Sequence, residues 1–163
     1  MPQTPDVTIY TDGACIGNPG PGGYGAVLLS EGNRRELSGG YAETTNNRME
    51  LMAAIVGLEA LKRPCDVTLY SDSKYLVDAI EKGWAHKWRA NGWMRNRRER
   101  AINPDLWEKL LSLTEQHNVV FRWVRGHAGV KENERCDHLA TTAAKGKGLP
   151  TDPGYGAAPP SPL

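Results

Sequence analysis

The sequence predicts a single α/β domain built on a mixed β-sheet. Three β-rich segments follow one another near the N-terminus, at 7–12, 23–30 and 34–41, and a Glu-Gly-Asn turn at 31–33 joins the last two as a hairpin. Beyond them, strand-like and helix-like segments alternate, an order that connects parallel strands through right-handed crossovers. The 163 residues suffice for one domain with a sizeable core.

The later elements follow from caps and periodicity. Residues 44–47 are Thr-Thr-Asn-Asn, which can cap a helix, and apolar side chains recur at helical spacing over 48–62 until Pro64. This pattern predicts a long amphipathic helix. The remaining predicted elements are a strand at 66–72, a helix at 73–83 closed by Gly83, a helix that begins at Pro104, a strand at 118–124 and a helix at 133–145.

The composition is typical of a globular, cytoplasmic protein with no membrane partner. No apolar run approaches the roughly 20 residues of a membrane span, and the N-terminus lacks the basic and then apolar pattern of a secretory signal. Three cysteines without a Cys-x-x-Cys pair favour neither a disulfide framework nor a zinc site. Gly, Pro and Ser dominate after the domain at 1–145, so we expect 146–163 to be a flexible tail. Nothing requires more than a monomer.

A basic segment at about 82–101 is concealed by the net charge of +1. Its tryptophans alternate with lysines and arginines, a combination that can stack on bases or sugars and neutralise phosphates. A run of charges is also common on a solvated surface, and Trp88 and Trp93 could be core residues of this segment. The basic residues are Lys82, Lys87, Arg89, Arg95, Arg97, Arg98 and Arg100, opposed by Glu99 alone.

Two predicted strands end in aspartate, at Asp12 and Asp72. The carboxyl ends of parallel strands lie along one sheet edge, where α/β folds bind ligands, so these acids should be neighbours. Glu50 and Asp137 lie in the first turns of helices and can point to the same edge. Such a group repels itself unless it shares protons or holds a cation, and its hard oxygens suit Mg²⁺ or Mn²⁺ rather than zinc. Each acid alone also fits a turn, a helix N-terminus or a solvated helix position.

Four motifs occur in order along the chain: TDGAC at 11–15 followed by GNPGPGGYGAV, TTNNRMELMA at 44–53, SDSKY at 71–75 and WVRGHAGVKENERCDHLA at 123–140. Together they resemble the bacterial type 1 ribonuclease H family. The resemblance implies a ribonuclease H-like fold, with a mixed five-stranded sheet flanked by helices. It also implies an endonuclease that cleaves the RNA strand of RNA–DNA hybrids with two Mg²⁺ ions, Mn²⁺ being a substitute, and leaves 5′-phosphate and 3′-hydroxyl ends. The family's four metal ligands correspond to Asp12, Glu50, Asp72 and Asp137.

The same resemblance makes His127 an assisting acid or base. Small residues flank it in Gly-His-Ala-Gly, which suits a mobile loop, although an isolated loop histidine is often an ordinary exposed residue. Glu134 is a further candidate for holding water or metal. The 2′-hydroxyl of RNA distinguishes it from DNA, and the resemblance assigns its recognition to the region around five residues. These are Gly13, Cys15, Asn18, Asn46 and Asn47, with Gly13 expected to let the substrate approach the backbone.

Contacts with the DNA strand are implied for Thr45 at a phosphate, for Tyr75 and Trp84 at sugars, and for the basic segment through Lys87, Arg89 and Arg95. Position 74 is Lys where many relatives carry Gln, so a contact with a phosphate or base acceptor could replace an amide contact.

Two other functions fit part of this pattern. A module that binds hybrids or double-stranded RNA without cutting would not need four acids, and a related metal-dependent DNA nuclease would not need a loop that reads the 2′-hydroxyl.

Overall fold

A five-stranded mixed sheet organises the computed structural model, which describes residues 4–155. The strands are β1 (Asp6–Cys15), β2 (Gly20–Ser30), β3 (Asn33–Thr44), β4 (Asp66–Ser71) and β5 (Asn118–Trp123). Their order across the sheet is β3-β2-β1-β4-β5. The first three strands pair antiparallel, whereas β4 pairs in parallel with both β1 and β5. The predicted mixed sheet is therefore confirmed.

Helices cover both faces of this sheet. They are α1 (Asn46–Glu59), α2 (Lys74–Glu81), α3 (Trp84–Ala90), α4 (Pro104–Gln116) and α5 (Lys131–Ala144). Ala26 of β2 lies near Gly57 of α1, whereas the adjacent Gly25 lies against Cys136 of α5. Successive strand residues point to opposite faces, so α1 and α5 lie on opposite sides of the sheet. Of the helices in residues 4–155, none has both the length and the apolar character needed to cross a membrane.

The helix α1 is buried on nearly all sides, so the predicted amphipathic pattern is wrong. Burial extends through most positions from Arg48 to Leu58. The reason is that α1 packs on β1 and β2 on one side and on α4 on the other. A helix enclosed in this way has no wide polar face. Because α1 is held on these two sides, its first turn has a fixed position, and this turn reaches the edge of the sheet.

A charged cluster at the start of α1 holds a segment that follows α5. The buried Arg48 donates to Asp152, which is 104 positions later in the chain, at 2.7 Å, and pairs with Asp105 at 2.7 Å. Asp152 is itself buried and accepts a 2.6 Å bond from the Thr44 hydroxyl. Since a buried guanidinium needs compensating charge and hydrogen bonds, this cluster ties three parts of the chain together.

The prediction of a flexible tail from residue 146 does not hold for residues 146–155. Besides the ion pair of Asp152, the main-chain nitrogen of Ala42 donates to the oxygen of Pro150 at 2.8 Å. The composition of this segment is poor in apolar residues, but the buried ion pair of Asp152 and the main-chain hydrogen bond of Pro150 hold it against the domain. Residues 156–163 lie outside the described part of the chain.

Candidate active site

Three carboxylates from separate elements meet at the carboxyl edge of the sheet. Asp12 lies on β1, Glu50 on α1 and Asp72 directly after β4. One oxygen atom of each lies within 4.8 Å of the others. Because β1 and β4 run in parallel with Thr11 opposite Ser71, the two aspartates follow at the same level. The prediction that Asp12 and Asp72 are neighbours is confirmed.

A close approach between β1 and α1 brings Glu50 into this group. A Cβ atom added at Gly13 would lie 2.4 Å from the main-chain nitrogen of Glu50, so any side chain at position 13 would push α1 away. The expected reason for Gly13 was approach of substrate, whereas the contact that requires glycine is with α1. The side chain of Asn18 accepts from the Asn46 nitrogen at 3.0 Å, and Thr45 caps α1 through the Arg48 nitrogen at 3.3 Å.

Burial and mutual repulsion make the three acids hard to ionise together. Burial, and next the charge of Asp72, raises the pKa of Asp12 to about 8. Burial also raises the pKa of Glu50 and of Asp72, with neighbouring carboxylates adding to the effect. The local donors are few: the Gly13 nitrogen donates to Asp12 at 2.9 Å and the Ser71 hydroxyl to Glu50 at 3.5 Å. A cluster of this kind holds protons or a cation, and its oxygen ligands can bind a metal ion.

Asp137 and His127 line the cleft around this cluster without joining the tight group of three. The cleft has a volume of about 410 Å³. Asp137, on α5, is close enough for its charge to raise the pKa of Asp12 and of Asp72. His127 is exposed, with a left-handed φ of 55°, and Glu134 accepts from the Gly129 nitrogen at 3.3 Å, which ties the histidine loop to α5. The complete lining is Asp12, Gly13, Ala14, Cys15, Asn46, Glu50, Asp72, Ser73, His127 and Asp137.

The residues expected to read the RNA strand lie in or next to this cleft. Gly13, Cys15 and Asn46 line it, whereas Asn18 and Asn47 are exposed beside it. The Cys15 thiol donates to the main-chain oxygens of Gly20 and Thr44 at 3.5 and 3.4 Å, so its sulfur is partly committed to the neighbouring strands.

The basic segment folds around the short helix α3 and forms a second depression of about 380 Å³. Trp84, Lys87 and Arg95, three of the expected substrate contacts, line it. Trp88 is 8% exposed, which confirms its alternative assignment as a core residue. The ring of Tyr75 stacks on Trp88 with centroids 6.4 Å apart and is still 39% exposed.

Two of the expected substrate contacts already have acidic partners. Arg89 donates to both carboxylate oxygens of Glu115 at 3.0 Å, because it lies on the side of α3 that faces α4. The Arg89 guanidinium therefore joins two helices in the substrate-free protein. Arg95 pairs with Glu99 at 2.6 Å, although this pair is exposed and accessible to competition.

One residue beside the cleft had no role assigned from the sequence. Trp123 is 48% exposed, and its indole nitrogen donates to the main-chain oxygen of Asp72 at 3.0 Å. The Lys74 ammonium lies 5.9 Å from the centre of its ring. The parallel register of β4 and β5, which sets Ser71 opposite Trp123, was the signal that could have pointed to it.

Comparisons with known proteins agree with this geometry. Residues 4–145 match the family model described as RNase H. The chain is 69% identical over 147 residues to a ribonuclease H of Desulforamulus reducens, covering 90% of this chain and 92% of that one. Among solved structures, LC9-RNase H1, a type 1 RNase H with the type 2 active-site motif, has a TM-score of 0.78 at 38% identity and covers 88% of this chain and 74% of its own. LC11-RNase H1 in complex with RNA/DNA hybrid has a TM-score of 0.66 at 28% identity, with coverages of 85% and 96%. This match over almost all of the described residues, which includes the three clustered carboxylates, establishes that the chain belongs to the bacterial type 1 ribonuclease H family.

Proposed function

We propose that this protein is an endonuclease that hydrolyses the RNA strand of RNA–DNA hybrids and leaves 5′-phosphate and 3′-hydroxyl ends. The observation that carries this proposal is the convergence of Asp12, Glu50 and Asp72 within 4.8 Å in an open cleft, in a chain of the ribonuclease H family. The hybrid bound in the LC11-RNase H1 structure supports the choice of substrate.

The acids of the cleft fit a pair of Mg²⁺ ions, with Mn²⁺ as a substitute. Every candidate ligand is a hard carboxylate oxygen, the cleft lining contains no lysine or arginine, and burial, with the neighbouring carboxylates adding to it, raises the pKa of each of the three clustered acids. Asp137, at the edge of the same cleft, is the fourth ligand in this proposal. When bound, two such ions supply a nucleophilic water and stabilise the departing 3′ oxygen.

The other cleft residues orient the RNA strand and move protons. His127 is an exposed imidazole on the cleft lining, so it can carry a proton to or from the reacting phosphate. Asn46 lies one helical turn before Glu50 on α1 and both line the cleft, where an amide and a carboxylate can together donate to and accept from a 2′-hydroxyl. Gly13, Cys15, Asn18 and Asn47 complete this RNA-reading side.

The DNA strand follows a path from the start of α1 to the basic segment. The ammonium of Lys87 and the exposed face of Trp84 lie in one depression, which suits a phosphate beside a sugar. Thr45, Lys74, Tyr75 and Arg95 extend the contact. Arg89 is omitted because its guanidinium is engaged by Glu115.

The test compares RNA–DNA, DNA–DNA and RNA–RNA duplexes of one sequence, incubated with Mg²⁺ or with EDTA. We expect cleavage of the RNA strand of the hybrid alone, and only with Mg²⁺. Asp12→Asn should lose turnover but retain hybrid binding, since the basic segment supplies much of the affinity. Asp6→Asn, an exposed acid at the opposite end of β1, is the matched control and should cleave normally. Cleavage of DNA–DNA, or an intact hybrid with wild-type protein, would overturn the proposal.

A further inference from the structure

We propose that Trp123 is a positioning residue that holds Asp72 in the carboxylate cluster. The inference rests on the proposed function, because it concerns a ligand of the proposed metal site. No role was assigned to Trp123 from the sequence motif, yet its side chain makes a direct hydrogen bond to the main chain of a clustered acid.

Asp72 needs support because the sheet ends just before it. β4 stops at Ser71, so Asp72 lies beyond the last ladder pair with β1. Two hydrogen bonds from the end of β5 continue the pairing at this point. The Val124 nitrogen donates to the Ser71 oxygen at 3.0 Å, and the Trp123 indole donates to the Asp72 oxygen at 3.0 Å. The side chain of Trp123 therefore holds the main chain of Asp72 by a hydrogen bond, as backbone hydrogen bonds between strands hold the earlier residues of β4.

Repulsion within the cluster gives this hydrogen bond its importance. Asp72 is only half-buried and follows a strand end, whereas Asp12 and Glu50 are buried on regular elements. Of the three acids, Asp72 has the least packing to oppose displacement by the charge of its neighbours. A tether on its main chain limits that displacement and keeps its oxygens within reach of a shared cation.

Gly126 confines the same carboxylate from the other side. A Cβ atom added at Gly126 would lie 2.8 Å from the Asp72 Oδ2 atom, which is closer than real Cβ contacts allow. The carboxylate is thus bounded by the loop after β5, while its main chain is held by the indole of β5. Both contacts come from the chain just before His127, so one short segment positions Asp72.

The exposed ring of Trp123 has a second contact that the test must separate from the first. The Lys74 ammonium lies 5.9 Å from the ring centre, within the range of a cation–π contact. Phenylalanine at position 123 preserves an aromatic face for Lys74 but cannot donate a hydrogen bond. Trp123→Phe therefore removes the tether on Asp72 selectively.

The experiment measures Mn²⁺ binding to the substrate-free protein by electron paramagnetic resonance of the free ion, together with kcat and KM on a hybrid. Trp123→Phe should weaken Mn²⁺ binding and lower kcat by about three- to tenfold each, the effect of losing one hydrogen bond. KM should change less than kcat. Gly126→Ala should weaken Mn²⁺ binding in the same direction, because it displaces the same carboxylate.

Trp84→Phe is the matched control for Mn²⁺ binding. Trp84 is also exposed and has a lysine, Lys82, 5.5 Å from its ring centre, but no hydrogen bond from its indole is found within residues 4–155. This variant should bind Mn²⁺ within about twofold of wild type, the change expected when no ligand is disturbed. Wild-type Mn²⁺ binding in Trp123→Phe, or an equal loss in Trp84→Phe, would overturn the inference. Failure of wild-type protein to cleave hybrids would instead overturn the proposed function, since Mn²⁺ binding is measured without substrate.

Discussion

Replacing Asp12 by asparagine should abolish turnover and still make the metal-free protein harder to unfold. Asp12 is 4% exposed, and burial, followed by the charge of Asp72, raises its pKa to about 8. In the unfolded chain an aspartate titrates at about pH 4. Between these two values the folded protein holds a proton that the unfolded chain has released. Stability therefore falls as pH rises through this window, from about pH 4 to about pH 8.

The size of this destabilisation at a given pH follows from how far that pH lies above the pKa of aspartate in the unfolded chain. At pH 7, about three pH units above the unfolded pKa, the cost of keeping Asp12 in its folded environment has an upper limit of about 4 kcal/mol. Since the ionisation of Asp12 depends on the charges of Glu50 and Asp72, asparagine relieves only part of this cost. We expect a gain of about 2 kcal/mol in the free energy of unfolding, or a rise in Tm of about 4–8 °C.

The assay is urea unfolding followed by circular dichroism, with EDTA present, for wild type, Asp12→Asn and Asp6→Asn. The gain of Asp12→Asn should be small at pH 5 and larger at pH 8, with an unchanged dependence on urea. Asp6→Asn should behave like wild type at both pH values. Addition of Mg²⁺ should narrow the difference, because a bound cation stabilises the wild-type cluster. A variant that is less stable than wild type, or a gain that is the same at both pH values, would refute the reasoning.

Three further outcomes are expected from other parts of the molecule. Asp152→Ala should lower the free energy of unfolding in urea by about 3–5 kcal/mol, since it removes a buried partner of a buried guanidinium. Asp105→Ala should lower it by about 1 kcal/mol, because the Asp105 side chain is 46% exposed, and equal losses in the two variants would contradict this reasoning. Lys87→Ala should reduce the slope of log Kd for hybrid against log salt concentration by about 0.7–0.9, which is the contribution of one phosphate contact. Arg89→Ala should leave this slope unchanged, and a flatter slope in Arg89→Ala would show that the Arg89 guanidinium contacts phosphate. Gly13→Ala should destabilise the protein by about 1–3 kcal/mol and lower kcat, because its methyl group would displace the backbone of α1; a wild-type Tm would contradict the close approach.

Much of the fold was predictable because its signals are local. The strands β1 and β4 alternate or run apolar, Asp12 follows Thr11 within β1 and Asp72 follows Ser71 at the end of β4, and the parallel pairing of Thr11 with Ser71 brings the two aspartates together. The burial of α1 was not predictable from its own residues. One side of α1 packs on β1 and β2 and another side on α4, and the residues of α1 alone contain no information about this second partner.

Three contacts that the sequence did not predict share one physical cause, a partner that is distant in sequence. Arg89 looked like a phosphate contact because its neighbours are basic, but Glu115 lies on another helix. Asp152 looked like part of a flexible tail because its neighbours are Gly and Pro, but it forms an ion pair with Arg48 on α1. The indole of Trp123 similarly donates to the main-chain oxygen of Asp72, which directly follows the adjacent strand β4. Local composition describes the neighbours of a residue along the chain, whereas these contacts depend on residues that are close in space and distant in sequence.

The ion pair between Arg48 and Asp152 bears on where this domain can be cut. Similarity to the family extends over residues 4–145, and α5 ends at Ala144, so a fragment designed from either boundary would stop before Asp152. Such a fragment would contain every acid of the cleft but would leave the Arg48 guanidinium in the interior with one half-exposed carboxylate as its counter-charge. The minimal unit for expression, tagging or fusion is therefore set by an electrostatic requirement of the first helix, and it extends at least to Asp152.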